Sequence, residues 1–300
     1  MKKILSIITF LFILTLCGCV EVNSTTKNDN TNNNTTSTTD TSTTNNSSGY
    51  THKAYVDLCD NTIETDDTSI LVEDKTMTIT KGGKYIITGT LMGGQIIVNV
   101  SKEEKVKLVL NNITIQNNEN ACIIGLSSDR IVIEAAANTD NYLTDASTYT
   151  NLIDPGVNAC IYSKDDITIK GEGNIIVTGN YNNGIGTKND LKIEAKHLYV
   201  TAAKNGLKGN ESVTIIDSNI EISAINDGIK ADEEIDTLKG FVLIENSNIN
   251  ITKSKNGIVG YRKITINNST IDITCTNVGL DSDLDDITYT GTIKVNDEQI

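Results

Sequence analysis

The sequence predicts an all-β chain, a single-stranded parallel β-helix with coils of about 22 residues. Three observations carry that expectation. The first is a recurring glycine-centred unit, beginning Asn183-Gly184-Ile185, Asn205-Gly206-Leu207, Asp227-Gly228-Ile229, Asn256-Gly257-Ile258 and Val278-Gly279-Leu280, with glycines 22, 22, 29 and 22 residues apart. The second is that each unit goes on to two short apolar alternations, such as Leu191 and Ile193 followed by Leu198 and Val200. Three short runs of period two in one repeat are what one coil of stacked strands requires. The third is composition: the runs are rich in Ile, Val and Thr and are broken by Asn, Asp and Gly, which disfavours helices. A hairpin-built sandwich would not keep a fixed period in which equivalent residues align.

The elements follow in order. Residues 1–18 read as a signal peptide: Lys2 and Lys3 precede Ile4 to Leu16, an apolar run too short to span a bilayer. The run ends in Leu16-Cys17-Gly18-Cys19, which resembles the lipobox of bacterial lipoproteins. That resemblance implies cleavage before Cys19 and a diacylglycerol on its sulfur. The expected location is therefore extracellular, held to the cell membrane by the lipid alone. Residues 19–49 form a tether, since 23 of the 26 residues from Asn23 to Ser48 are Asn, Thr or Ser and nothing apolar offsets the entropy of ordering them. A flexible chain of that length reaches roughly 30 Å.

The domain proper is assigned to residues 50–300. Residues 57–100, with Gly82-Gly83 and Gly93-Gly94, are expected to supply the N-terminal cap and first coils. Weaker repeat copies begin at Asn120-Ala121-Cys122 and Asn158-Ala159-Cys160, and the longer spacing after Gly228 reflects seven extra residues around Ala231 to Lys239. Eight or nine coils stacked at strand spacing give a rod of ~40 Å whose ends need caps. Each inward Ile contributes roughly 1.5–3 kcal/mol. The repeated glycine implies either positive φ or a backbone too close for a Cβ. Cys122 and Cys160 occupy matching positions and read as a stack of small buried side chains in preference to a disulfide.

Charge and composition exclude several classes. Lys plus Arg is 25 against 39 Asp plus Glu, a formal charge of −14, which argues against a nucleic-acid partner. Two His and two Arg cannot build a three-His zinc site or an arginine cluster around a phosphate. No Gly-x-Ser-x-Gly turn, phosphate loop, Cys-x-x-Cys or Ser-His-Asp order is present.

Several stretches carry a family likeness: Gly83–Leu91 (GKYIITGTL), Gly94–Val98 (GQIIV), Ala159–Gly171 (ACIYSKDDITIKG), Asn182–Ile185 (NNGI) and Asn226–Asp232 (NDGIKAD). Over roughly residues 55–290 the chain resembles the bacterial carbohydrate-binding-domain family of cell-surface β-helix proteins. The resemblance implies a right-handed β-helix, similar in fold to polysaccharide lyases, associated with calcium and binding acidic sugars and cellulose without established catalysis. The chain departs from the family in its Asn-rich turns and in Val278, which stands where Asn or Asp is usual.

Candidate chemistry lies in the turns. Asn158, Asn183, Asn205, Asp227 and Asn256 form one column, read as an amide ladder in which Asp227 needs a positive neighbour. Acids cluster after it at Asp232, Glu233, Glu234 and Asp236, and again at Asp281, Asp283, Asp285 and Asp286. Hard oxygen donors at this density suit calcium, with Asp227, Asp232, Glu233, Asp281 and Asp283 as expected ligands; the other reading is solvated acidic loops. Asp165 and Asp166 are a further acidic pair. Lys188, Lys208 and Lys230 are candidate contacts to a sugar carboxylate, with Lys204 nearby and Lys208 and Lys230 in one column; the other reading is that they keep exposed strands soluble. Tyr181 and Tyr261, with Tyr162, fall near turns and are candidates to stack on pyranose faces. With no Trp, and Phe241 the one Phe after the signal, a broad aromatic platform for crystalline cellulose is not expected.

The expected function is a monomeric, lipid-anchored surface protein that binds polysaccharide, with calcium holding the turns. A calcium-dependent polyuronate lyase is the first alternative, with Lys208 or Lys230 as base and Arg262 as second choice. A non-catalytic adhesin or structural rod is the second.

Overall fold

The computed structural model describes residues 49–150, 152–284 and 286–300. Cys19, the signal segment, the tether to residue 48 and Asp285 lie outside the described residues. Among the described residues there is no helix, and 25 strands form two sheets of fifteen and ten strands.

The strands form where the alternation predicts. Leu191, Ile193 and Ala195 are buried while Lys192 and Glu194 between them are not, and Phe241–Glu245 and Asn248–Ser254 begin with the same alternation. Equivalent residues of successive repeats pair in parallel. One row runs Leu191, Val213, Val242, Ile264, Ile287. A second runs Leu198, Ile220, Ile249, Ile271, Ile293. The third, in the ten-stranded sheet, runs Ile161, Ile185, Leu207, Ile229, Ile258, Leu280. Nearly all of these side chains are buried in one continuous core. Nine strands of the ten-stranded sheet follow one another in parallel, in accord with eight or nine repeats.

Both ends close with antiparallel strands. Thr62–Glu64 folds back on Lys53–Asp60, and Ile70–Glu73 on Thr76–Ile79. At the other end Glu298–Gln299 folds back on Ile287–Val295. The first strand thus begins at Lys53, ahead of the expected cap boundary at 57.

Of the two explanations for the turn glycines, close approach is the one that holds. Gly206 has no left-handed φ, and a Cβ there would lie 2.6 Å from the Gly228 carbonyl oxygen and 2.5 Å from Ile222 Cγ2. The left-handed conformation sits elsewhere in the repeat, at Asp217, Asn246 and Asn268, with φ of 48°, 49° and 47°. Asp and Asn tolerate that region because their short polar side chains bond locally. The next residue is Ser in each case: the Ser218 N–H donates to Ser247 Oγ and the Ser247 N–H to Ser269 Oγ, both at 3.1 Å. Cys122 and Cys160 stack as expected, with buried free thiols and the Cys122 N–H donating to the Cys160 carbonyl at 2.9 Å. Burial pushes the Cys160 thiol well up from its ordinary range.

Candidate functional site

The column of turn residues is a directional hydrogen-bond ladder. Asn183 Nδ2 donates to Asn158 Oδ1 at 3.2 Å, and Asn205 Nδ2 to Asn183 Oδ1 at 2.9 Å. Asp227 has no N–H in its side chain to continue the series. The Asp227 backbone N–H at 3.2 Å and Asn226 Nδ2 at 3.0 Å take its place on Asn205 Oδ1. Asn256 Nδ2 then donates to Asp227 Oδ1 at 2.7 Å, and Asn277 Nδ2 to Asn256 Oδ1 at 2.7 Å. Asp227 is 1% exposed, and Lys230 Nζ stands 3.3 Å from its Oδ2, which supplies the positive neighbour that a buried carboxylate demands. Asn226 Nδ2 also reaches that oxygen, at 2.9 Å.

This ladder alters the calcium expectation. Both oxygens of Asp227 already accept from protein donors. Asp232 Oδ2 is 2.8 Å from Lys208 Nζ. Glu233 accepts the Ile235 and Asp236 N–H groups at 2.9 and 3.2 Å, which hold its carboxyl below the usual carboxylate range. Asp281 ends a short strand, half-buried, and Asp283 is exposed. Among the described residues no three carboxylate, imidazole or thiol groups converge to hold a metal ion. As folded, protein donors take up both Asp227 oxygens and Asp232 Oδ2, while Asp232 Oδ1 is buried with no hydrogen-bond partner. Asp165 and Asp166 pair instead with Lys102 and with Arg130.

The lysines fall as the repeat predicts. Tyr162, Gly186, Lys208, Lys230, Val259 and Asp281 are register partners along the outer face of the ten-stranded sheet. The first part of that face is covered: Val157 and Tyr149 pack on Ile97, Ile124 and Tyr162 in a second apolar cluster. Tyr162 is 2% exposed, so it packs and does not stack on a ligand, contrary to the expectation for it. Beyond it comes the buried Gly186, where a Cβ would lie 3.1 Å from Ala159 Cβ, and then Lys208 and Lys230, both about one-quarter exposed. Lys188 lies near Asp154 on the covering segment, and Asp154 is bound by Lys164 at 2.5 Å.

Tyr181 and Tyr261 do not share one place. Tyr181 is exposed but stacks on Tyr149, with ring centroids 4.1 Å apart. Tyr261 follows the strand Asn256–Gly260 and carries the Arg262 guanidinium 5.5 Å from its ring. Beneath the Tyr149–Tyr181 pair lies Asp145, which the sequence reading missed. It is 2% exposed, accepts from the Tyr149 hydroxyl at 2.5 Å and the Asn180 N–H at 2.5 Å, and burial pushes its carboxyl up to about 6. Also unforeseen is a polar concavity of about 820 Å³ at the bends of the fifteen-stranded sheet, lined among others by Glu172, Glu194, Lys196, His197, Asn219 and Asn248. The His197 ring is held by Asn219 Nδ2 at 3.1 Å.

With this geometry in hand, comparison with known proteins is informative. Residues 73–298 match the family described as carbohydrate-binding domain-containing protein. A relative from Acetivibrio thermocellus with that same description is 42% identical over 204 residues, 67% of this chain and 71% of that protein. A solved structure described as the polysaccharide lyase-like protein from C. thermocellum, gadolinium derivative, has a TM-score of 0.72 at 39% identity, covering 81% of this chain and 97% of that one.

Proposed function

We propose, from the premise that the chain belongs to the carbohydrate-binding domain-containing protein family, that it binds an acidic polysaccharide along the outer face of the ten-stranded sheet. The observation that carries this is the register pairing of Lys208 with Lys230. Two lysines on neighbouring strands, whose backbones lie about 4.8 Å apart, offer successive charge-assisted hydrogen bonds to the carboxylates and hydroxyls of a chain lying along the axis. Asp227 and Asp232 fix both ammonium groups from behind, so little side-chain entropy remains to be lost on binding. The fold that supports this reading is the right-handed parallel β-helix, in which the three rows of paired repeats are three walls of one coil.

The reading rests on no resident calcium. The half-buried Asp281 and the exposed Asp283 remain the place where an added ion would be sought by calorimetric titration. We further propose that the domain is displayed outside the cell through a lipid on Cys19; mass spectrometry of the N-terminal peptide would find the acyl chains, and Cys19→Ser would release the protein.

Affinity electrophoresis in polygalacturonate tests the main reading. Lys208→Gln with Lys230→Gln is expected to abolish retardation, and undiminished retardation would overturn the lysine face. One observation favours a second reading, polyuronate lyase: the structural relative is described as polysaccharide lyase-like. Release of unsaturated uronide absorbance from polygalacturonate would establish it, and its absence across pH and calcium concentration would remove it.

A further inference from the structure

The extra residues between the strands Asp227–Ala231 and Phe241–Glu245 break the repeat and hold apolar side chains out in solvent. Ile235 is 89% exposed and Leu238 82%, the two most exposed large apolar residues among those described. The loop that carries them is clamped. Glu233 accepts from the Ile235 and Asp236 N–H groups, and Asp236 Oδ1 accepts from the Leu238 N–H at 3.0 Å. From one neighbouring repeat Asn210 Nδ2 reaches Glu233 Oε2 at 2.9 Å. From the other, the Arg262 guanidinium donates to the Glu234 and Asp236 carbonyls at 2.6 and 3.0 Å. A loose loop would fold its apolar side chains back onto the domain. This one is bonded on both sides, and its two apolar side chains forgo burial.

Beside the loop lies a groove of about 430 Å³, with Leu238, Phe241 and Leu284 as its apolar wall and Lys239, Arg262, Lys263 and Asp286 at its rim. Phe241 and Lys263 are register partners. Lys239 is engaged by Glu211 at 2.6 Å. Lys263 stands 3.3 Å from Asp286, both about half exposed, and Arg262 Nη1 is left without a hydrogen bond among the described residues. The groove therefore leans basic. The protrusion leans acidic: Glu234, next to Ile235, is exposed and forms no ion pair among the described residues.

An apolar protrusion beside an acid and an apolar recess beside bases, on one and the same loop, are the two halves of an isologous contact. A two-fold axis passing between them sets each copy's Ile235 into the other's groove while Glu234 meets Lys263 and Arg262. A bilayer of anionic lipid would be repelled by Glu234 and Asp236, and a purely polar partner would leave Ile235 and Leu238 in water. We infer that the insertion is a self-association surface: two copies of this chain pair about a two-fold axis, Ile235 of each seated against Leu238, Phe241 and Leu284 of the other. This replaces the monomer expected from the sequence and rests on neither the polysaccharide reading nor the lysine face. A contact built around one loop falls short of the standard interface of roughly 1,600 Å², so the pair is weak in dilute solution. It gains where many copies share one surface. Since Lys230 lies on the strand that runs into the insertion, pairing also brings two lysine faces into one assembly, with the avidity that follows.

The test is sedimentation velocity of the mature chain carrying Cys19→Ser, from micromolar to near-millimolar concentration. The sedimentation coefficient is expected to climb with concentration to that of a dimer. Ile235→Asp is expected to raise the dissociation constant about tenfold or more with Tm unchanged, since that side chain touches no core. Glu234→Lys alone and Lys263→Glu alone should each weaken pairing about threefold or more. The two reversals on one chain should restore it to within about threefold of the parent, a recovery that a merely structural role for either residue would not produce. A parent chain that stays monomeric throughout, an Ile235→Asp variant that pairs like the parent, or charge reversals whose losses simply add would overturn the inference. Co-sedimentation with phosphatidylcholine vesicles runs in parallel. Vesicle binding by a chain that stays monomeric, lost with Ile235→Asp, would assign the protrusion to a lipid surface and overturn it as well.

Discussion

The lysine face and the face that bears Tyr142 and Tyr199 are made by the same repeat, yet different forces hold them in place. The Lys230 strand begins at the ladder residue Asp227, bonded to Asn205 and Asn256 of the repeats before and after it, and the Lys208 strand follows the ladder residue Asn205. On the fifteen-stranded sheet, the strands of the exposed, outward Tyr142 and Tyr199 rest mainly on Leu143, Leu198 and Val200, with Asn141 the buried amide that accepts from the Ile113 N–H at 3.2 Å and donates to the Asn174 carbonyl at 3.0 Å. An apolar core decides which side of a strand faces in, and it tolerates small slips. Directional hydrogen bonds also fix position along the axis. A point charge meeting a carboxylate needs that precision.

The largest expected effect breaks this contrast at its root. Asp227→Ala leaves Asn256, Asn226 and the Lys230 ammonium facing a buried void, at a cost of about 3–5 kcal/mol. The Tm loss is expected to be the same in calcium and in chelator, and a loss confined to calcium would restore a metal at this position. Asp227→Asn should recover much of the loss, because an amide can still accept from Asn256.

Next in size is Asp145. Its carboxyl titrates near 6 in the folded protein against an ordinary 3.8, raised by burial. A raised value means the folded state favours the proton, so this stabilisation is fully present below about pH 3.8 and is lost as pH rises through 6, by no more than about 3 kcal/mol. Asp145→Asn should flatten that portion of the stability profile between pH 4 and 7, measured as the Tm difference from wild type. An unchanged difference would mean that Asp145 titrates normally.

Gly206→Ala comes third, with about 1–3 kcal/mol of overpacking against the Gly228 carbonyl. It should weaken polygalacturonate binding, since the intrusion is on the ladder side. The smallest effect belongs to Lys208→Gln alone, about 0.5–1.5 kcal/mol or roughly two- to thirteenfold in polygalacturonate affinity.

The three apolar rows were legible in the sequence because a fixed glycine period and a period-two alternation together determine which residues stack. The amide ladder and the Lys208–Lys230 pairing followed from the same count. Acid density along the chain says nothing of partners on neighbouring strands: Asp232 Oδ2 meets Lys208 and Asp227 Oδ1 meets Asn256, each one repeat away. Asp145 itself gave no signal, since only folding brings Tyr149 and Asn180 against it.

The closing hairpins at the two ends have a consequence for how such a molecule can change. Because the terminators are separate from the repeated portion, an extra unit spliced between neighbouring repeats would lengthen both sheets without baring a sticky edge to a second copy. Reach, and with it the number of sugars gripped at once, can therefore be altered by duplication alone.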